Sequence, residues 1–156
     1  MFRHFDDLDG LFASLDARLR REAVPLLRDP DPHASLADRV AALVRQRARI
    51  FDRIAPYKRT ADLHRGRSPF VRSRQQHLVE ELRERLRLWL PELFTAAANV
   101  QEAVELVLSF EAWERLRTGQ ALSRARAVEV VEHAVRALLG IPPTGAARRS
   151  PRKEKP

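Results

Sequence analysis

Cysteine is absent from this 156-residue chain. That absence excludes a disulfide framework, a cysteine-ligated metal and a thiol nucleophile, and it is compatible with residence in a reducing cytoplasm. Long apolar runs are absent as well. None approaches the ~18 residues that a membrane span requires, and Met1-Phe2-Arg3-His4-Phe5-Asp6-Asp7 does not read as a signal peptide. No Gly-rich phosphate loop and no Gly-x-Ser-x-Gly turn occurs. The five histidines, at 4, 33, 64, 77 and 133, stand at spacings that match no metal signature. The adjacent carboxylates Asp6-Asp7 and Glu80-Glu81 point to different sides of any helix that carries them, so they form no acid/base pair. From these absences the chain is expected to be no enzyme and to use neither metal nor cofactor.

What the chain has in excess is positive charge. Its 29 Lys and Arg outnumber 21 Asp and Glu, for a formal +8. Half of that excess lies near the C-terminus, where Arg148, Arg149, Arg152, Lys153 and Lys155 are opposed only by Glu154. Residues 141–156, rich in Pro, Gly, Ala and basic side chains, are expected to be disordered and to hold phosphate backbone weakly, without sequence preference. A second run, Arg45, Arg47, Arg49, Arg53, Lys58, Arg59, Arg65 and Arg67, could track a nucleic acid. Its only interleaved aromatics are Phe51 and Tyr57, too few for a stacking platform. We favour placing these charges on the outer faces of amphipathic helices, with their stems covering apolar surface.

Apolar residues recur at helical spacing along most of the chain, and start and stop residues divide them. Asp7 fits as the N-cap of a first helix carrying Leu8, Leu11, Phe12, Leu15, Leu19 and Val24. The stretch from Pro25 to Pro32 is a loop by composition. Ser35-Leu36-Ala37-Asp38 is a capping box, and Leu36, Val40, Leu43, Val44, Ile50, Phe51 and Ile54 carry its helix to an expected break near Pro56. A short helix reaching His64 should follow. Ser68-Pro69 supplies a cap and a first-position proline for the next helix, which Pro91 is expected to kink or split.

Between Asn99 and Gly140 two more helices are expected. One opens at Asn99, with Glu102 completing a capping box, and closes before Gly119; the other opens at Ser123 and stops at Gly140, ahead of Pro142 and Pro143. Little of either is polar. On the second, Glu129, Glu132, His133 and Arg136 form one narrow stripe, and Ala, Val and Leu cover the rest. On the first, Gln101, Glu105 and Ser109 separate Val100, Val104, Val107 and Leu108 from Leu106, Phe110 and Trp113. A surface helix needs an apolar face of only about 100°, so each has surplus apolar surface to bury. The surplus points to a symmetric dimer whose four helices close a bundle, with Val104, Val107, Leu108, Ala127, Val130, Val131, Ala134 and Leu138 at the seam. A helical hairpin buried inside a monomer would satisfy the same pattern.

The residues of this hairpin also carry a resemblance. Ser109-Phe110-Glu111-Ala112-Trp113-Glu114-Arg115-Leu116-Arg117, then Ala121-Leu122-Ser123 and Ala134-Val135-Arg136-Ala137-Leu138-Leu139-Gly140, resemble the last two helices of TetR/AcrR-type bacterial transcriptional regulators, which dimerise that family. Phe2-Arg3-His4-Phe5 ahead of Asp6-Asp7-Leu8 resembles the end of the family's recognition helix and the start of the helix linking reading head to sensor. Arg53-Ile54-Ala55-Pro56-Tyr57-Lys58-Arg59 and Arg67-Ser68-Pro69 resemble its sensor half, whereas Gly10 departs from the polar helix former usual in that turn.

The resemblance implies an all-α, TetR-like C-terminal domain over residues 6–140 with a two-helix dimerisation hairpin. Residues 1–5 would be a remnant of the helix-turn-helix, in Phe2, Arg3, His4 and Phe5. The rest of that head is expected upstream of Met1, itself expected to be a misassigned start. The implied function is that of a cytoplasmic, homodimeric repressor that releases operator DNA when an effector favours a head spacing unmatched to half-sites one helical turn apart. The effector would be small and hydrophobic, in a pocket between the linker helix and the dimer pair, and Phe51, Tyr57, His64, Trp89, Phe110 and Trp113 are the candidate lining residues. The alternative is a stand-alone homodimeric sensing or interaction module without DNA-binding activity.

Overall fold

A computed structural model of the chain describes residues 3–64, 66 and 68–142, the side chains of residues 3–7 excepted. Phe2, Arg65, Arg67 and all of the basic tail beyond Pro142 lie outside the described residues, as do the side chains of Arg3, His4 and Phe5. All regular structure among the described residues is helical. The helices are α1 (Arg3–Ala23), α2 (Leu36–His64), α3 (Pro69–Trp89), α4 (Ala98–Val107), α5 (Phe110–Glu114) and α6 (Arg124–Leu138). Short 3₁₀ turns follow α1 (Val24–Leu26) and α3 (Pro91–Thr95), and a π-helical turn, Arg115–Gly119, continues α5.

The caps read from sequence at three helix starts are in place. Ser35 Oγ accepts from the Asp38 amide at 3.1 Å, Ser68 Oγ from Val71 at 3.1 Å, and Ser123 Oγ from Arg126 at 3.2 Å. Each satisfies one of the amides that a first turn leaves without a helical partner. Gly140, at φ +66°, closes α6 in the left-handed conformation, and the Ile141 amide reaches back to the Arg136 carbonyl at 2.9 Å.

Three boundaries differ from expectation. The first helix is already formed at Arg3 and runs through Asp7 without a break, so Asp7 is no N-cap. Second, α2 runs through Pro56 to His64 as a single helix of 29 residues. An interior proline costs about 3 kcal/mol, but Phe51, Ile54, Ala55, Lys58 and Ala61 continue one buried stripe across it, and that packing outweighs the local penalty. Third, the helix expected from Asn99 to Gly119 is divided at Ser109. Ser109 Oγ caps α5 through the Ala112 amide at 3.1 Å, and the neighbouring Leu108 carbonyl turns to the Arg47 guanidinium at 2.6 Å. Asn99 caps nothing: α4 opens after Ala97, and the Asn99 side chain accepts from Val100. Pro91 does end α3, and the 3₁₀ turn starts on it.

Helix α2 is the axis of the molecule and packs against α1, α3, α5 and α6. Its Val40, Leu43, Val44, Ala48 and Phe51 meet Leu86 and Trp89 of α3, Val104 of α4, Phe110 and Trp113 of α5, and Ala127, Val131 and Val135 of α6 in one large core. Leu86, Leu90, Leu93, Val104 and Val135 are fully enclosed, and each such side chain contributes roughly 1.5–3 kcal/mol by leaving water. A second, smaller cluster joins Phe12 of α1, Ala61 of α2 and Val71 of α3, with Leu8, Leu15, Tyr57 and Phe70 around it. Leu11, counted on the apolar stripe of α1 in the sequence, is 55% exposed.

Candidate functional site

Between the two clusters, α1 stands away from α2 and α3 and leaves a cleft of about 160 Å³. Its walls are apolar: Leu19, Ala23, Val24 and Leu27 from α1 and the turn after it, Ile50, Ile54 and Ala61 from α2, and Val71, Leu78 and Leu82 from α3. The α3 positions are spaced seven and four residues apart, which puts them on one face. Six charged side chains also line the cleft, and each has an opposite charge inside the chain. Arg74 of α3 donates to Asp16 of α1 at 2.8 Å and reaches Glu81 at 3.4 Å. Arg20 of α1 in turn meets Asp16 at 3.2 Å and Glu81 at 2.8 Å. The four form a ladder that ties α1 to α3, with the Arg74–Asp16 rung well shielded and the Arg20–Glu81 rung half exposed. Burial works against the Arg74 charge, but the hydrogen bonds and charges of Asp16 and Glu81 outweigh it and hold the guanidinium above its ordinary pKa.

The other two charges are Lys58 and Arg85. Lys58, 4% exposed, donates to Asp62 at 2.7 Å and lies 3.5 Å from Glu111. Arg85 pairs with Asp29 at 2.7 Å and donates to the Arg28 carbonyl, so it pins the loop after α1 to α3, while its buried Nε has no partner among the described residues. The remaining polar groups on the cleft are neutral. They are the Gln75 amide and the Tyr57 hydroxyl, neither with a hydrogen-bond partner among the described residues. Burial, and next the charge of Asp16, raise the Tyr57 pKa, so the hydroxyl keeps its proton. Beyond Lys58, Gln75, Leu78 and Leu82, which line both, a smaller recess of about 80 Å³ opens on the other side of α3 toward Phe110 and Glu111.

Of the six residues expected to line a pocket, Tyr57 alone is on this cleft, while Trp89 borders a separate, more open and more polar hollow of about 380 Å³ beside Asp38, Arg39 and Arg49. Phe51 and Phe110 meet edge to face at 5.7 Å inside the large core, and Trp113 beside them donates from Nε1 to Asp52 at 3.0 Å. Phe110 also borders the smaller recess. Trp89 is enclosed in the same core with its Nε1 unpartnered among the described residues. His64 stacks obliquely on Phe12 at 5.4 Å, in the second cluster. Sequence reading missed Leu19, Ala23, Ile54, Gln75 and Leu78. The available signal was an oppositely charged pair at helical spacing on each helix, Asp16 and Arg20 four residues apart on α1 and Arg74 and Glu81 seven apart on α3.

The basic run is not confined to outer faces. Arg47 is 6% exposed and donates to the carbonyls of Leu108 at 2.6 Å and Leu82 at 3.1 Å. Burial, with a smaller push from Arg85 and against the pull of Glu105, lowers its pKa to about 10. Lys58 is buried likewise, whereas Arg53 and Arg59 pair at the surface with Glu22 and Glu114.

The eight residues expected at a dimer seam divide into three groups. Val104, Leu108, Ala127 and Val131 are at most 5% exposed within the chain's own core, and are therefore covered before any second copy arrives. Val107 and Leu138 are half-buried against that core. Val130 and Ala134 are half-buried outside it, and with the exposed Ala137 they line up at helical spacing along the far side of α6. Leu106 of α4 is 67% exposed.

Among the described residues no group of His, Asp and Glu could hold a metal ion, and no helix is long and apolar enough to cross a membrane. No family model, no curated protein and no solved structure matches the chain.

Proposed function

We propose that residues 6–140 are the effector-sensing and dimerisation domain of a TetR/AcrR-like transcriptional regulator, a repressor that gives up operator DNA on binding a small apolar effector. The observation that carries the reading is the two-sidedness of α6. It turns Ala127, Val131 and Val135 onto the core and leaves the half-buried Val130 and Ala134 and the exposed Ala137 as a second apolar line outside the core of the described residues. A monomer's surface helix needs one apolar face; the second is what a copy of the same helix, related by a two-fold axis, would cover. The cleft supports the sensing half of the proposal. An occupant touching Leu19 and Ala23 would bias the position of α1, the helix that carries Arg3, His4 and Phe5 in its N-terminal part.

Light scattering at micromolar concentration should return twice the 17.9 kDa chain mass. Ala134→Arg should give a folded monomer, because it sets a charge on the seam alone, whereas Val131→Arg should unfold the chain by charging its core. A wild-type monomer would overturn the dimer. The DNA half is tested by selecting duplexes from a random pool with the full-length gene product. Enrichment of a palindrome with half-sites about one helical turn apart is expected, and recovery of no preferred sequence would remove the regulator reading.

A further inference from the structure

The charge pairing inside the cleft limits what it can hold. All six charged groups of the lining already face an opposite charge: Asp16 and Glu81 stand between Arg20 and Arg74, Lys58 is held by Asp62 and Glu111, and Arg85 by Asp29. A carboxylate entering this space would find no unneutralised cation, and an ammonium no spare anion. Either ion would give up its hydration for walls made of Leu, Ile, Val and Ala. Burying an unpaired ion costs several kcal/mol, far more than burying a neutral polar group that finds a hydrogen bond. The groups left to bind a ligand are neutral or already counter-charged: the Tyr57 hydroxyl and Gln75 amide, each able to donate and to accept, and the Nε–H of Arg85, a donor only.

Size narrows the class further. The cleft measures about 160 Å³, close to the ~150 Å³ apolar cavity that takes up one benzene molecule and below the 300 Å³ at which drug-sized pockets begin. We propose that the cleft binds an uncharged, single-ring compound bearing one hydroxyl or carbonyl, a simple phenol or cyclic ketone, whose ring lies against Leu19, Ile54 and Leu78 and whose oxygen meets Gln75 and Tyr57. This rests on the sensing role assigned to the cleft and names the chemistry it senses. The raised pKa of Tyr57 fits a neutral hydroxyl available for that bond.

Four probes of one ring size test it on the intact chain: 4-methylphenol, toluene, 4-methylbenzoate and 4-methylbenzylamine, titrated by calorimetry at pH 7. The phenol is expected to bind tightest, toluene several-fold more weakly, and both ions at least about tenfold more weakly than the phenol, given the cost of an unpaired charge. Gln75→Leu should bring the phenol down to toluene's affinity without loss of toluene binding, which separates a lost hydrogen bond from a damaged fold. Ile54→Trp, which fills the cleft, should abolish binding of both. Tighter binding of the benzoate or the benzylamine would overturn the assignment of an uncharged ligand while leaving the cleft as a sensing site. Binding of the phenol that survives Ile54→Trp in a folded variant, or no binding of any probe, would overturn the cleft itself. Neither result touches the chain mass, so a dimer that ignores all four probes removes this inference without the dimer reading, and a monomer that binds the phenol does the reverse.

Discussion

The two sides of α2 are held together by different means. Toward α4, α5 and α6 the contact is a continuous apolar core in which Val104, Leu108, Phe110, Ala127 and Val135 are 4% exposed or less. Toward α1 and the part of α3 before Leu86 there is a three-residue cluster around Phe12, a cleft, and a ladder of four charges across the opening. Apolar packing at native density leaves no room to adapt, since each methylene has a place. Charged rungs over a cavity hold two helices at a distance and let them reset with little loss of contact area. The part of the molecule suited to an occupant is therefore the part that gains least from burial, which is where local opening is cheapest.

The largest expected effect sharpens this contrast directly. Phe110→Ala on the packed side should cost about 3–5 kcal/mol, because it removes a ring from a core that cannot collapse onto the space. Leu19→Ala on the cleft should cost about 1–2 kcal/mol, since the side chain is half-buried and already borders a void. Chemical denaturation of both variants measures the difference, and equal losses would mean that the cleft side is as tightly packed as the core.

An intermediate effect is expected from the ladder. Arg74→Met removes the bonds to Asp16 and Glu81 and should destabilise by about 1–2 kcal/mol, the value of shielded charge-assisted bonds after partial screening. The loss should shrink in 1 M salt, where the Debye length falls to about 3 Å. A Phe110→Ala loss that shrank in parallel would break the assignment of charge to one side and packing to the other.

The smallest effect concerns pH. The Arg39 hydrogen bond holds Glu92 below the ordinary 4.5, and the Arg59 hydrogen bond does the same for Glu114. Both carboxyls bind protons less readily folded than unfolded. Their contribution is therefore present above about pH 4.5 and lost as pH falls below it toward the folded values. Melting temperature should drop between pH 5 and pH 3, and the drop should be shallower in Glu92→Gln and Glu114→Gln. Both groups are largely solvated, so a shift of only a few degrees is expected. A flat profile in the wild type would remove these pairs from the account of stability.

Four helix boundaries were readable in the sequence from local signals. Ser35, Ser68, Ser123 and Gly140 act through atoms within four or five residues, and each does what its type and position predict. Two local readings did not hold, since Asp7 lies within α1 and α4 opens ahead of Asn99. The two other boundaries that differed depend on distant partners. Pro56 stays helical because of what Phe51 and Ala61 pack against, and the break at Ser109 is shared with Arg47, 61 residues from the carbonyl it binds. The same division holds for the cleft. Aromatics stand out in a sequence, but a large ring is what a core consumes first, and Phe51, Phe110 and Trp113 went there. Apart from Tyr57 and the paired charges, the cleft was left to medium-sized aliphatic residues and one amide, types with no mark of function until α1 and α3 are placed side by side.

Arg47 couples parts of the chain that would otherwise dock one at a time. Its guanidinium is buried and bound to one carbonyl on α3 and one at the junction of α4 and α5, 35 and 61 residues away. With only one of those partners in place, a charge would have left water for half of its hydrogen bonds, a state worse than either end point. Partial assembly is thereby penalised: α3 and the α4–α5 corner close on α2 together or the cation stays hydrated. A single arginine so ties three helical segments into one unit, and the cost of leaving its charge half satisfied favours a core that is made or lost as a whole.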